Sequence, residues 1–264
     1  MQHSALINVM IAAARKAART LKRDFGEVEN LQVSLKGPGN FVTAADRRAE
    51  ETLRAELAKA RPGYGFLGEE GGHHAGTDAT HTWIVDPLDG TTNFLHGIPQ
   101  FAISIGLERS GTMVAGVIYN PITDELYVAE RGKGAFLNDK RLRVAARKRL
   151  ADSVIACGLP HLGRGDLDLG LRELGAVQDK VAGLRRFGAA ALDLAFVAAG
   201  RLDGYWERNI SPWDIAAGLL LVREAGGFIT DIDGNNDGMF DKKNIVAGNE
   251  TIHRELQTLL KAAG

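Results

Sequence analysis

A single cysteine, Cys157, is all the thiol chemistry this 264-residue chain has. It can therefore form no internal disulfide and no thiolate metal cluster of its own, and a reducing cytoplasm is the expected location. An excess of charge of either sign is missing too. With 32 Lys and Arg against 33 Asp and Glu, the formal net charge is −1, so no global field draws the chain to nucleic acid or to an anionic membrane. Long apolar runs are lacking. The longest uncharged stretch, residues 90–107, is interrupted by Thr, Asn, His, Gly, Pro, Gln and Ser, which rules it out as a bilayer span. Neither a P-loop nor a dinucleotide fingerprint occurs, and there is no internal repeat, low-complexity tract or long polar linker.

What remains is ordinary globular material, 45% hydrophobic and 25% charged, long enough to bury a core without a staple. The first 23 residues hold Arg15, Lys16, Arg19, Lys22 and Arg23 and no acid, much like an organellar transit peptide. However, Leu6, Met10, Ala14, Ala17 and Leu21 recur at helical spacing, which predicts an ordinary first helix. Residues 43–61 predict a second, with Thr43 and Asp46 at cap spacing and Pro62-Gly63 as its stop. Short strands follow at 65–68 and 82–85, and residues 101–107, 113–119 and 125–129 predict an antiparallel region.

Beyond a change of texture at 147–152, a strand near 153 leads to helices at 167–179 and 190–199, with strands at 184–187 and 202–206. Ser211-Pro212-Trp213-Asp214 starts a further helix that Ala225-Gly226-Gly227 ends. Strands at 228–231 and 244–247 and a helix from Glu250 close the chain. The expectation is mixed α and β structure, with a half at 1–150 and another at 151–264.

Trp83-Ile84-Val85 is an apolar strand running into Asp86-Pro87-Leu88-Asp89-Gly90-Thr91-Thr92-Asn93. In α/β proteins ligands gather at such strand ends. Pro87 holds the turn and Gly90 permits close backbone approach, so Asp86, Asp89 and the Leu88 carbonyl form a set of hard oxygens. If Gly90-Thr91-Thr92 opens a helix, its free N–H groups can hold a phosphate beside them. By themselves these residues also make a plain Asp-Gly turn with a helix cap. Glu69-Glu70, between glycines, reads alone as a solvated loop, and Asp214, three after Ser211, reads alone as half of a capping box. Carboxylates 4 Å apart repel by about 4 kcal/mol at an effective dielectric near 20, so their convergence would require cations. Mg²⁺ suits an all-oxygen site that also holds phosphate.

Other signals carry less. Cys157 follows Val154-Ile155-Ala156 and reads as a buried strand residue. His73, His74, His81 and His96 lack ligand spacing. Residues 233–238 match the first half of a calcium loop but have Asn244 where the bidentate Glu belongs, and so predict a polar hairpin.

Taken together, Glu69-Glu70, residues 83–94, residues 188–193, Glu207 and Trp213-Asp214 resemble the inositol monophosphatase family in its bacterial branch, in order and spacing, from Lys36 to Gly248. The resemblance implies a layered α-β-α-β-α sugar-phosphatase-like fold with the site between the halves, and a homodimer. Glu69, Asp86, Asp89, Asp214 and the Leu88 carbonyl would be ligands of roughly two or three Mg²⁺ ions, and the amides of Gly90 and Thr91 would hold phosphate. Glu69 and Thr91 would orient an attacking water, with Asp46 hydrogen-bonded to Thr91. Lys36 would lie on a mobile loop, one residue shorter than in animal members. Asp89, Ala190 and Glu207 would touch the substrate alcohol, although Arg208-Asn209 after Glu207 departs from the animal pattern.

The implied activity is hydrolysis of myo-inositol 1-phosphate. Fructose 1,6-bisphosphate, histidinol phosphate and 3′-phosphoadenosine 5′-phosphate are alternatives on the same metal core. An accessory role in transcription and RNA complexes, known for some bacterial relatives, is the competing class, and no basic tail or aromatic platform in the sequence supports it.

Overall fold

Ser4 opens the first helix, α1 (Ala5–Phe25): its hydroxyl accepts the N–H of Ile7 at 3.2 Å. Met10, Ala14, Ala17 and Leu21 are buried along one face, while Arg15, Lys16, Arg19, Lys22 and Arg23 stay exposed. The computed structural model describes residues 3–27, 33–35, 41–161 and 163–264, and Lys36 lies outside them. A two-stranded ribbon, β1 (Val33–Leu35) and β2 (Phe41–Thr43), precedes α2 (Ala44–Ala60).

Eight strands form the larger sheet. They are β3 (Tyr64–Gly68), β4 (Gly72–His74), β5 (Asp78–Asp89), β6 (Ala102–Arg109), β7 (Thr112–Asn120), β8 (Glu125–Glu130), β9 (Gly134–Leu137) and β10 (Lys140–Arg141). The spatial order is β10-β9-β8-β7-β6-β5-β3-β4, antiparallel except for the parallel pair β3 and β5. A five-residue helix, α3 (Thr91–Leu95), follows β5.

The smaller sheet holds β11 (Val154–Cys157), β12 (Gly183–Arg185), β13 (Gly204–Arg208), β14 (Phe228–Thr230) and β15 (Asn244–Gly248), in the order β12-β11-β13-β15-β14. Its helices are α4 (Leu167–Gln178), α5 (Ala190–Ala198), α6 (Pro212–Glu224), α7 (Met239–Lys242) and α8 (Glu250–Ala263).

Alternation along the strands builds the layers, because neighbouring side chains point to opposite faces of a sheet. Trp83 and Val85 pack against α1 and α2, while Ile84 between them packs against α5 and α6. In the smaller sheet Ala156 and Tyr205 face α5 and α6, whereas Ile155, Cys157 and Trp206 face α4 and α8. The result is five layers, α-β-α-β-α, as the resemblance implied. A helix pair between two sheets must be apolar nearly all round, and α5 and α6 are. The fit is close: a Cβ on Gly116 would lie 2.9 Å from the Ala217 carbonyl oxygen, and one on Gly218 would lie 2.5 Å from Leu194 Cδ1.

Three of the boundaries that differ from the sequence reading bear on the site. β5 continues to Asp89 where a turn was expected at Asp86, because the Leu88 N–H donates to Asp86 Oδ1 (2.9 Å) and shifts the register without ending the pairing with β6. The strand expected at 184–187 leaves the sheet after Arg185, and Arg186, Gly188 and Ala189 run on into a cavity wall. The strand expected from 202 begins at Gly204, since the Leu202 N–H still donates to the Phe196 carbonyl behind α5.

Candidate active site

Between the two sheets lies a cavity of about 170 Å³, walled by the end of β5, the start of α3, the segment after β11, the start of α5, the end of β13 and the start of α6. Its acids come from separate elements. Asp86 (1% exposed) and Asp89 (8%) stand on β5, and Asp214 stands in the first turn of α6. One carboxylate oxygen from each lies within 4.8 Å of the others. Asp46, Glu69 and Glu70 form a second group of the same tightness. Glu69 links the two electrostatically, because it acts on both Asp86 and Asp214 and lines the same cavity.

Local chain chemistry fixes these positions. Asp89 accepts the N–H groups of Ala190 (3.2 Å) and Ala191 (2.8 Å), so it caps α5 from another sheet. Asp214 Oδ2 accepts the Ser211 N–H at 2.8 Å, the half capping box seen in the sequence. Gly90 has φ 92°, and a Cβ there would lie 2.8 Å from the Gln100 carbonyl oxygen, so both conformation and space require glycine. The Thr91 hydroxyl donates to the Leu88 carbonyl at 3.0 Å, leaving that oxygen a second lone pair. Asn93 Nδ2 donates to the carbonyls of Gln100 (2.7 Å) and Phe187 (2.8 Å), tying α3 to the segment before α5.

Crowded acids away from water hold their protons. Burial first, then the carboxylates of Glu69 and Asp89, raise Asp86 well above the usual carboxylate range. Burial and then Asp214 do the same to Asp89. Burial and then Glu69 push Asp214 up to about 7. Such a set of oxygens is stable in its charged form only with a cation among them, and the donors are those that hard divalent ions select.

The remaining lining of the cavity has a different character. Glu207 on β13 accepts a short hydrogen bond from the Tyr205 hydroxyl, and burial raises its carboxyl. Ala190, Asp193, Arg164 and Arg186 line the same wall. Cys157 also reaches it, but the residue is 2% exposed and burial pushes its thiol up to about 12, which leaves it an inert structural group.

The cavity thus gathers Glu69, Asp86, Leu88, Asp89, Gly90, Thr91, Ala190, Glu207 and Asp214. Asp46 is buried at the start of α2, in the group with Glu69. Sequence reasoning missed Glu50, whose two oxygens accept the N–H groups of Glu70 (2.8 Å) and Gly71 (2.6 Å) and so anchor the turn that carries Glu69. Its signal was present: Asp46 and Glu50 are four residues apart, two acids on one otherwise apolar face of α2.

Comparison with known proteins adds four findings. A sequence model described as the inositol monophosphatase family matches residues 2–263. The inositol-1-monophosphatase of Mesorhizobium japonicum is 66% identical over 261 residues, covering 99% of this chain and 98% of that protein. The Nus factor SuhB of Pseudomonas aeruginosa is 42% identical, covering 97% and 96%. Among solved structures, that of the extragenic suppressor protein suhB from Bartonella henselae superposes with a TM-score of 0.95 at 62% identity, covering 98% of this chain and 99% of that one.

Proposed function

The chain belongs to the inositol monophosphatase family, and from that premise we propose that it is a Mg²⁺-dependent phosphomonoesterase that converts myo-inositol 1-phosphate to myo-inositol and phosphate. The observation that carries this reading is the convergence of Asp86, Asp89 and Asp214 from two distant stretches of chain, the first two buried and the third half-buried, all mutually repelling. With Glu69 and the Leu88 carbonyl they form a set of oxygens suited to Mg²⁺. When bound there, the cation supplies Lewis acidity, neutralising charge on the phosphoryl oxygens and acidifying water.

The chain's own groups do the rest. The backbone N–H groups at Gly90 and Thr91 hold the phosphate against the end of β5. Glu69 and the Thr91 hydroxyl orient the attacking water, and Asp46 steadies Thr91. Asp89, Ala190 and Glu207 face the alcohol, with Asp89 held by its two α5 amides. Because phosphoryl transfer needs charge stabilisation and alignment more than covalent help, no side-chain nucleophile is required. The same reading has the enzyme acting in the cytoplasm as a homodimer, which sedimentation of the purified protein checks.

A substrate panel scored for released phosphate, with and without Mg²⁺, tests the assignment. Preference for inositol 1-phosphate supports it. Preference for fructose 1,6-bisphosphate, histidinol phosphate or 3′-phosphoadenosine 5′-phosphate moves the same chemistry to another alcohol. A second reading, an accessory factor in transcription complexes, draws on the 42% identity to the Pseudomonas aeruginosa Nus factor across nearly the whole chain. A pull-down with an Asp86→Asn variant separates the two, since a binding role survives loss of turnover.

A further inference from the structure

A single acid interrupts α5, whose other residues are Ala, Leu, Phe and Val. Asp193 stands three residues after Ala190 and therefore on the same face. Helical side chains lean toward their N-terminus, which for α5 is the end held by Asp89. Asp193 is 2% exposed, and it lines the cavity with Glu207, Arg186 and Cys157. Its Oδ1 is buried without a hydrogen-bond partner among the described residues. Leaving a buried carboxyl unsatisfied is costly, and folded proteins satisfy nearly all such groups.

Purely structural explanations do not account for it. An acid in the first helical turn is favoured by the helix dipole, but the amides that a capping carboxylate would take, those of Ala190 and Ala191, already donate to Asp89. The dipole also acts on exposed acids and gives no reason for burial. Arg186 offsets that burial only in part, since it acts on Asp193 more weakly than the carboxylates of Glu207 and Asp89.

We propose that Asp193 is a specificity-determining residue, whose carboxyl accepts a hydrogen bond from a hydroxyl of the substrate's alcohol part. The inference deepens the polyol-phosphatase reading and rests on it. Asp193 on α5 and Glu207 on β13 then present two acceptors, from two elements, in the cavity that also holds the Asp86, Asp89 and Asp214 cluster. An ester without hydroxyls leaves Asp193 Oδ1 unpaired and Glu207 with the Tyr205 hydroxyl alone. This is the arrangement that discriminates strongly, because a site built to hydrogen-bond a hydroxyl rejects analogues lacking one far better than an apolar pocket rejects an extra group.

The experiment compares Asp193→Leu and Asp193→Ala, which remove the acceptor, with Asp193→Asn, which keeps one carbonyl oxygen. For each, kcat and KM are measured with myo-inositol 1-phosphate and with phenyl phosphate, and Tm is recorded. The expected result is that Leu and Ala each lose at least tenfold more kcat/KM on inositol 1-phosphate than on phenyl phosphate. Asn should recover part of that loss. Tm of the Leu variant should hold or rise, because an unsatisfied buried acid has been replaced by an apolar side chain of similar size. Should the Leu variant fail to fold, the Ala variant decides. Equal losses on both esters, or no loss on either, overturn the proposal. A wild type that cleaves phenyl phosphate but not inositol 1-phosphate overturns the substrate assignment instead. Asp193 is then judged by the same ratio on whichever polyol phosphate the wild type cleaves, and it falls if there is none.

Discussion

Asp86 and Asp214 illustrate how one residue type can be structural and functional at once. Asp86 turns the chain inside β5 through the Leu88 amide, and Asp214 caps α6 through the Ser211 amide, yet each turns a carboxylate oxygen toward the other. Asp86→Asn and Asp214→Asn keep the shape and one acceptor oxygen while removing charge, so both should fold and lose most turnover. Measured kcat within about twofold of wild type in both would refute their role, since a contact worth even 1.4 kcal/mol in the transition state changes rate tenfold. Glu207 should behave differently. Glu207→Gln loses a charge-assisted hydrogen bond to a hydroxyl but leaves the acids at the end of β5 alone. Its kcat/KM should fall more with inositol 1-phosphate than with glycerol 2-phosphate. Equal losses would place Glu207 in the general machinery, and no loss would make it a partner of Tyr205 only.

At the scale of elements, the site depends on how tightly α5 and α6 are seated between the sheets, because α5 holds Asp89 and α6 carries Asp214. Gly218 is where the two helices meet. Two effects oppose each other in Gly218→Ala. Helix propensity favours Ala by about 1 kcal/mol, whereas overpacking against Leu194 costs about 1–3 kcal/mol. A Cβ at 2.5 Å from Leu194 Cδ1 and 2.6 Å from its Cβ forces a backbone shift rather than a rotamer change, so the net effect should be destabilising. Urea unfolding checks this, and a midpoint equal to or above wild type would show that the helices can part without cost. A weakened Mg²⁺ response in the same variant would follow from the displaced Asp214.

For the whole molecule, the acid cluster couples metal, pH and stability. In metal-free protein Asp214 titrates near 7 and Asp86 and Asp89 are also raised, whereas the unfolded chain loses these protons near 4. Above pH about 4 the folded state binds more protons, so metal-free stability should fall as pH rises from about 4 to about 7 through Asp214, and further for as long as Asp86 and Asp89 keep their protons. A denaturation series in EDTA tests the sign, and stability rising across that window would contradict the burial of these acids. Mg²⁺ should reverse the trend. At 100 times its dissociation constant, a ligand bound only to the folded state adds about 2.7 kcal/mol. A thermal scan should show Tm climbing over millimolar Mg²⁺ in wild type and far less in Asp89→Asn, and identical behaviour of the two would count against a carboxylate metal site.

The longer helices and most of the longer strands, the burial of α1 and the helix start at Ser211 were legible in the sequence, because they follow from local periodicity and capping chemistry that act over a few residues, whereas the short strands β1, β2, β4, β9 and β10 and the helix α7 were not. So was the segment from Asp86 to Thr91, whose turn and glycine requirements are local. Spacing and residue identity also pointed to the family, since Asp86, Glu207 and Asp214 keep fixed places along the chain. The meeting of β5 with α6, the capping of α5 by Asp89 and the anchoring of the Glu69 turn by Glu50 were decided only by the tertiary structure. The physical reason is distance along the chain: these contacts depend on which sheet face each helix covers, and five layers must stack before any of them exists. Asp193 shows the same limit. The sequence presents an acid in the first turn of a helix, and only the packed fold makes it a buried group facing a cavity with no protein partner for its Oδ1 among the described residues.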